Sequence, residues 1–250
     1  MRVHNSLPSS AAGPSTPGIP AEDSAEVRDP RPGSFLARLT LAERRALLAL
    51  GTTRQLPGGR HLMVQGREDT QVEVIRRGYV KVTAAVAGRP ALLAIRLPGD
   101  LVGELAGFTG NGRSATVTTC GPVVSTVIRR ADFTHFVDRH PHVAAQVTAT
   151  VGWKLRWANE RRSEFSAFPV PVRLARVLLE IAAGCGEAGE DGTVIGVELS
   201  QAELASYVGA REDTVQRALR LLRRRGFIRT GYKRIAVLDE HGLRAVAEAI

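Results

Sequence analysis

The sequence predicts an α+β fold: an antiparallel β-domain, then a long helix, then a smaller domain built around two consecutive helices. Three observations support this prediction. Short β-rich runs separated by glycine turns fill residues 56–130, a helical pattern covers about 143–165, and residues 199–226 carry a helix start, a turn glycine and a basic second helix. With 250 residues the chain can form two domains, each with its own core.

The N-terminal segment differs in composition from the rest. Residues 1–33 are rich in Ser, Pro, Ala and Gly and have almost no large apolar side chains. Such a segment cannot offset its ordering entropy by burial, so we predict a disordered tail. From Phe35 onward leucines alternate with charged residues, which predicts one helix or two short ones ending at Gly51.

A β-domain is predicted over residues 34–140. Its strand-like runs lie at 72–75, 79–86, 91–97, 115–119 and 123–128, and turns containing Gly or Pro bound them. Because many short strands follow each other with no helix between them, they predict an antiparallel sandwich or barrel and not a parallel sheet.

A long helix is predicted over residues 141–167. Four apolar residues at spacings of four and three form one helix face: Val147, Val151, Leu155 and Ala158. Trp153 and Trp157 form an i,i+4 pair on a neighbouring face. A helix with two apolar faces needs an internal and an external partner, which favours a dimer seam over packing within one chain alone. Phe168-Pro-Val-Pro171 ends the helix, and we place the start of the last domain, 168–250, there.

Residues 199–226 predict a helix-turn-helix. Ser200 and Glu203 have the spacing of a capping box, so the first helix begins at Ser200. Gly209 supplies the permissive backbone of a tight turn. The second helix, over about 212–225, has one apolar face, made of Val215, Ala218, Leu219 and Leu222. Its other face is polar and basic, as in helices that enter the major groove of DNA; an ordinary helical hairpin with a solvated face is the alternative.

A β-hairpin is predicted after the second helix. The runs 227–230 and 234–238 flank Gly231-Tyr232-Lys233, which forms a wing with a basic tip suited to phosphate contact. The formal net charge is +9, and residues 201–234 hold nine Lys or Arg against three acids. The charge is therefore concentrated where DNA binding needs it.

Several classes of protein are disfavoured. The two cysteines, Cys120 and Cys185, are far apart and without CxxC spacing, which argues against disulfides and against cysteine-ligated metal sites. We expect His135, His140 and His142 to mark an exposed helix junction and not a metal site. No secretory signal, membrane span or catalytic motif is visible, so we expect a cytoplasmic protein that is not an enzyme and has no membrane partner.

The chain resembles the Crp/Fnr family over about residues 35–240. The most specific motifs are LPGDLVGE at 97–104, GRSA at 112–115 and VGAREDTVQR at 208–217. The resemblance implies an N-terminal β-roll of the cyclic-nucleotide-binding type, a long dimerisation helix and a C-terminal winged helix-turn-helix. It also implies a homodimer that binds palindromic double-stranded DNA; an activator of this family would contact RNA polymerase as well.

The resemblance implies an effector site in the β-roll. Residues of the phosphate-binding cassette correspond to Gly103, Glu104, Leu105, Arg113 and Ser114. A carboxylate such as Glu104 can accept from a ribose 2′-hydroxyl, while Arg113 and Ser114 can bind a cyclic phosphate. The alternative is that Glu104 and Arg113 pair with each other beside a structural turn.

The adenine-contacting positions of the family align with Ala158 and Asn159. Asn159 can hydrogen-bond a base, but Ala158 cannot. Cyclic AMP, another cyclic nucleotide, a different small ligand and no ligand at all therefore stay open. The cysteine cluster of the iron-sulfur branch of the family is absent from the sequence.

The resemblance also implies which residues bind DNA. They are Arg211, Glu212, Asp213, Thr214, Gln216, Arg217, Arg220 and Lys233. Arg217 matches the arginine that reads guanine, and Asp213 stands where a glutamate meets the amino group of cytosine or adenine. Glu212 replaces an arginine that reads another guanine, so we expect a different half-site at that base pair. A cyclic-nucleotide sensor that acts through a protein partner is the alternative from another class.

Overall fold

The N-terminal domain consists of two four-stranded antiparallel sheets. The structure is a computed structural model, and it describes residues 30–86 and 88–249. One sheet has the strand order β1-β8-β3-β6 and the other β2-β7-β4-β5. The strands are β1 (Thr52–Leu56), β2 (His61–Met63), β3 (Val72–Arg77), β4 (Val80–Val86), β5 (Arg89–Arg96), β6 (Leu101–Val102), β7 (Thr116–Thr119) and β8 (Val123–Ile128). The antiparallel β-fold predicted from the glycine-separated runs is confirmed; β1, β2 and β6 were not predicted.

One helix interrupts the strands. Helix α2 (Glu104–Thr109) lies between β6 and β7, so the expectation of no helix among the strands is wrong. Its flanking residues Gly103 and Gly110 have φ of 82° and 71°, which only glycine adopts without strain. A six-residue helix between two glycines shows too little of the 3.6-residue period to be recognised in the sequence.

Two short helices precede the sheets, as predicted. A 3₁₀ helix (Leu36–Arg38) is followed by α1 (Leu41–Ala49), whose start is fixed by a capping box between Thr40 and Glu43. Of the tail predicted at 1–33, residues 1–29 lie outside the described part. Arg31 approaches the Asp100 carboxylate to 3.4 Å, so the last residues of this segment contact the β-domain.

Helix α3 (Arg130–Arg139) leads into the long helix α4 (Pro141–Ala167). Val143 and Val147 of α4 pack against the β-domain. The apolar face predicted from Val147 to Ala158 does not pack there along its whole length, since Leu155 is 63% exposed. Each step of four residues advances about 40° around a helix, so Val147 and Leu155 diverge by two such steps. Trp157 instead packs against the core of the last domain.

The C-terminal domain combines helices with a second sheet of order β11-β12-β10-β9. Its elements are α5 (Val170–Cys185), β9 (Gly186–Gly189), β10 (Gly192–Ile195), α6 (Gln201–Tyr207), α7 (Glu212–Arg224), β11 (Ile228–Gly231), β12 (Arg234–Val237) and α8 (Glu240–Glu248). The two predicted helices and the hairpin are confirmed, whereas α5, α8, β9 and β10 were not predicted.

The two domains are in direct contact through β4, β5 and α6. Leu92 of β5 belongs to the apolar core of the C-terminal domain, and its backbone N–H donates to Ser206 Oγ at 2.9 Å. Lys81 Nζ of β4 lies 2.8 Å from Glu203 Oε1 of α6. The first helix of the helix-turn-helix is therefore held against the β-domain. Within the described residues, no helix combines the length and the hydropathy that crossing a membrane requires.

Candidate DNA-binding surface and effector cavity

The turn between α6 and α7 depends on local sequence. Ser200 Oγ accepts from the Glu203 backbone N–H at 3.2 Å, and the Glu203 carboxylate accepts from the Ser200 backbone N–H at 2.8 Å. This reciprocal pair starts α6 as predicted. Gly209 has φ of 61°, and a Cβ added there would lie 2.6 Å from the Phe165 ring of α4. Both the backbone and the neighbour therefore require glycine.

Helix α7 buries one face and exposes the other. Val215, Ala218 and Leu222 are buried in the C-terminal core. Six predicted DNA-binding residues of this segment are exposed: Arg211, Glu212, Asp213, Gln216, Arg217 and Arg220. Thr214 is half-buried and accepts from Arg217 at 3.2 Å, and an Asp213 carboxylate oxygen lies 3.8 Å from the same guanidinium. The helix presents a contiguous row of long polar side chains to solvent.

A basic groove separates α7 from the wing. The groove has a volume of about 540 Å³ and contains four cationic side chains, Arg220, Arg223, Lys233 and Arg234. At the wing tip Tyr232 is 89% exposed, and the Lys233 ammonium lies 5.5 Å from the centre of its ring. Cations on both walls give the groove the electrostatic character that phosphate groups require.

A second cavity lies between the β-domain and α4. Its volume is about 200 Å³. All five cassette residues line it: Gly103, Glu104, Leu105, Arg113 and Ser114. Lys154, Trp157 and Ala158 of α4 close the opposite side. The structure thus brings the predicted β-domain residues together and adds a wall from the long helix.

Glu104 and Arg113, the two charged cassette residues of this cavity, have separate partners. Lys154 Nζ donates to Glu104 Oε1 and to the Leu101 carbonyl, both at 2.8 Å. Burial lowers the pKa of Lys154, and the neighbouring Glu104 carboxylate opposes that shift. Arg113 donates instead to the Asp69 carboxylate and, at 2.7 Å, to the Gln71 carbonyl. The direct Glu104–Arg113 pair considered from the sequence is not what the structure contains.

The sequence did not identify the two side chains that pair with Glu104 and Arg113: Lys154, which lines the cavity, and Asp69, which does not. Lys154 lies four residues before Ala158 and therefore on the same helix face. Because Ala158 was aligned with a ligand-contacting position, this spacing could have predicted that Lys154 lies beside the cassette. Asp69 lies in a loop, and nothing in the local sequence connects it with Arg113.

Two family models match the chain: a cyclic nucleotide-binding domain over residues 53–140 and a Crp-like helix-turn-helix domain over residues 172–246. The chain is 30% identical over 188 residues to the CRP-like cAMP-activated global transcriptional regulator of Mycobacterium tuberculosis (strain CDC 1551 / Oshkosh), covering 75% of this chain and 84% of that protein. The chain belongs to the Crp/Fnr family. The resemblance seen in the three sequence motifs is confirmed.

Other Crp/Fnr proteins extend the comparison. The cyclic AMP receptor protein of Thermus thermophilus is 26% identical over 196 residues, 78% of this chain and 87% of that one. A CRP/FNR-family transcriptional regulator from the same organism shares the fold, with a TM-score of 0.68, 24% identity, and coverage of 79% of this chain and 99% of that one. FixK2 from Bradyrhizobium japonicum also shares the fold, with a TM-score of 0.67, 20% identity, and coverage of 80% of this chain and 98% of that one. Crp/Fnr proteins are transcription regulators, so the prediction that the chain is not an enzyme is confirmed.

Asn159, the sixth predicted effector residue of this Crp/Fnr chain, lies apart from the other five. It is exposed and borders a groove on the far side of α4 with Leu155, Arg156 and Ser163. Within this chain the cavity is therefore bordered by Ala158 and not by Asn159.

Two histidines of the predicted helix junction, and both cysteines, have surroundings that explain them without a metal ion. His142 Nδ1 lies 3.0 Å from the Glu43 carboxylate, while His140 Nδ1 lies 2.8 Å from the Phe136 carbonyl. Across the residues that the structure describes, no group of His, Cys, Asp and Glu is arranged to hold a metal ion. Burial raises the pKa of Cys120 and of Cys185 to about 12, so both thiols stay protonated near neutral pH.

Proposed function

We propose that this Crp/Fnr regulator binds a palindromic operator as a homodimer and that a small ligand in the β-roll cavity controls the binding. The observation that carries the proposal is the exposed polar row of α7 beside the basic wing groove. We place the effector domain at 34–140, the dimerisation helix at 141–167 and the DNA-binding domain at 168–250.

Base recognition is assigned to the first half of α7. Arg217 is 66% exposed in its side chain and can make a bidentate contact with guanine. Asp213 both approaches Arg217 and can accept from the amino group of cytosine or adenine. Glu212 is exposed on the same helix and cannot replace an arginine at guanine, so the half-site differs there from that of family members with arginine. Arg220 and Lys233 line the groove where phosphates would lie.

The exposed face of α4 supports a homodimer. Leu155 is 63% exposed, and Asn159, one turn later on the same face, is exposed as well. Pairing two such helices about a two-fold axis would cover Leu155 and would bring Asn159 toward the second protomer. The two-fold axis explains why the operator would be a palindrome.

The cassette supports a cyclic nucleotide as the effector. Glu104, Arg113 and Ser114 line one cavity with groups that suit a ribose hydroxyl and a phosphate. The relative from Mycobacterium tuberculosis is described as cAMP-activated. A nucleotide would have to share Glu104 with Lys154 and to compete with Asp69 for Arg113.

The DNA-binding proposal is tested with Arg217→Ala and a duplex selected from a random pool. We expect the variant to stay dimeric and to lose about 1–3 kcal/mol of specific binding, because a bidentate guanine contact is removed. Arg244→Ala on α8 is the control, since this arginine is exposed and pairs with Glu240 in its own helix. Unchanged sequence-specific binding by Arg217→Ala in a mobility-shift assay would contradict the proposal.

The effector proposal is tested by calorimetry with cAMP and cGMP. We expect heat from at least one nucleotide with the unmodified protein and none with Arg113→Ala, because the buried guanidinium is the phosphate-binding cation. Absence of heat from both nucleotides would instead favour a ligand-independent regulator of the same fold.

A further inference from the structure

We propose that Trp157 is a positioning residue that couples the wall of the effector cavity to the helix-turn-helix through Arg161 and Tyr207. This inference rests on the proposed function, since it concerns how the cavity and the DNA-binding surface of the same chain communicate. It assigns a role to three residues of α4 and α6 that neither the cassette nor the recognition helix uses.

Trp157 is part of two cavities. It lines the effector cavity beside Ala158, and it also lines an adjoining cavity of about 260 Å³ between β5, α4, α5 and α6. Its indole N–H donates to a Glu180 carboxylate oxygen at 3.1 Å, which fixes the orientation of the ring. Trp157, together with Arg96, therefore borders both cavities, and an occupant of the effector cavity would contact its indole.

Arg161 connects Trp157 to α6. It lies one turn after Trp157, is only 9% exposed, and pairs with Glu180. Its guanidinium carbon is 4.9 Å from the centre of the Trp157 ring and 5.0 Å from that of Tyr207. The two rings are themselves 5.8 Å apart. The three groups thus form a triangle in which the guanidinium contacts both rings and the rings contact each other. A shift of one ring therefore changes its contacts with the other two groups.

Tyr207 is the last residue of α6 and is 4% exposed. It immediately precedes the turn that aims α7, so its displacement would alter the direction of the recognition helix. A second contact from the same long helix reaches that turn, where the Phe165 ring lies against Gly209. Helix α4 thus contacts the helix-turn-helix at two points, about two turns apart.

The coupling can be tested from the DNA side, without a known effector. Coupling between two sites is reciprocal. If contacts through Trp157 transmit effector binding to the helix-turn-helix, we expect DNA binding to change the surroundings of Trp157 in turn. The chain has two tryptophans, so Trp153→Phe leaves Trp157 as the only indole fluorophore. Titration of this variant with the selected duplex is expected to give a saturable change in tryptophan emission. The midpoint of that change should equal the midpoint of DNA binding measured by mobility shift. A scrambled duplex is the control for nonspecific binding.

Three further variants in the Trp153→Phe background separate coupling from packing. Tyr207→Leu removes the ring and Arg161→Gln removes the guanidinium, and both are expected to bind the duplex with loss of the emission change. Tyr207→Phe keeps the ring and is expected to retain the change. Arg162→Gln is the matched control, because it removes an exposed positive charge from the adjacent position of α4. Thermal melts establish that each variant is folded; if Tyr207→Leu does not fold, Arg161→Gln decides the question.

The outcomes distinguish the inference from the function on which it rests. If the duplex binds while Trp157 emission stays constant, the coupling is overturned and the proposed function stands. A full emission change in Arg161→Gln also overturns the coupling. If no duplex is selected from the random pool, both proposals fall.

Discussion

Gly209 combines a backbone requirement with a contact between domains. Its φ of 61° lies in the left-handed region, and its missing side chain leaves room for the Phe165 ring of α4. Gly226, after α7, has φ of 76° but no atom within 4 Å of a would-be Cβ. The two glycines therefore share the backbone requirement and differ in the contact.

Gly209→Ala and Gly226→Ala form a matched pair. We expect Gly226→Ala to lower the free energy of unfolding by about 1 kcal/mol through backbone strain alone. Gly209→Ala should lower it by a further ~1–3 kcal/mol, because the new methyl group overlaps a ring that must move. Urea denaturation measures both values. Equal losses in the two variants would show that the Phe165 contact has no energetic consequence.

For the residues of the effector cavity, the sequence predicted which side chains lie at the site but not which partners they take. The motifs placed Glu104 and Arg113 at one site, and the structure brings them to one cavity. Their actual partners, Lys154 and Asp69, come from a helix 50 residues and a loop 44 residues away in the chain. A pairing over such a separation leaves no local signal, so only the tertiary structure could assign it.

At the scale of elements, Glu203 has two roles. It completes the capping box of α6 and pairs with Lys81 of β4, so one carboxylate both starts a helix and holds it to the other domain. Burial by itself would raise the pKa of Glu203, but the Lys81 ammonium and the Ser200 N–H outweigh burial and lower it. The ionised form is therefore the one that the folded state stabilises.

This shift predicts a pH dependence. An acid whose pKa is lowered on folding contributes stability above its unfolded pKa, and the contribution disappears as pH falls through the folded pKa. We expect Glu203→Gln to unfold more easily than the unmodified protein at about pH 7, and to differ from it less at about pH 3, because the stabilising ionised form is lost as pH falls through the lowered pKa. Glu240→Gln, which removes an exposed carboxylate paired within α8, should have little effect at either pH. Urea midpoints at both pH values test this; a difference that is as large at the lower pH as at the higher one would contradict it.

Three elements with strong local signals were predicted correctly, whereas helix α5 was missed although its 16 residues are long enough to show a helical period. The capping box at Ser200, the turn at Gly209 and the hairpin around Tyr232 each fix the backbone through neighbouring residues. The two-residue strand β6 and the six-residue helix α2 have no room for a periodic pattern. Their conformation depends on the sheet around them.

At the scale of the whole molecule, the outward face of α4 has no apolar cover within the described part of the chain. Leu155 stands out because it is the most exposed leucine among the exposed large apolar residues of the described chain. Leu41 is 53% exposed on α1, whose Glu43 contacts His142 at the start of α4. His142 lies 13 residues, about 20 Å, before Leu155 along α4, so Leu41 is a suitable comparison. The proposed two-fold assembly would bury Leu155 and leave Leu41 in solvent.

Leu155→Glu tests this assembly. We expect the variant to sediment as a monomer and to lose specific DNA binding at concentrations where the unmodified protein binds, because two carboxylates would face each other across an apolar seam. Leu41→Glu should sediment and bind DNA as the unmodified protein does. A Leu155→Glu protein that remains dimeric in analytical ultracentrifugation would rule out this face as the seam.

The sequence by itself determined the order of the large units, a β-domain, a long helix and a helix-turn-helix domain, and the identity of the DNA-binding module. Caps, turn glycines and the apolar face of α7 act over a few residues, and local sequence records such interactions directly. The tertiary structure decided which face of α4 turns inward and which partners Glu104 and Arg113 take. It also decided that Trp157, Arg161 and Tyr207 meet at the junction of the domains. Those outcomes depend on contacts between residues distant in the chain, where a small rotation of one helix changes every neighbour.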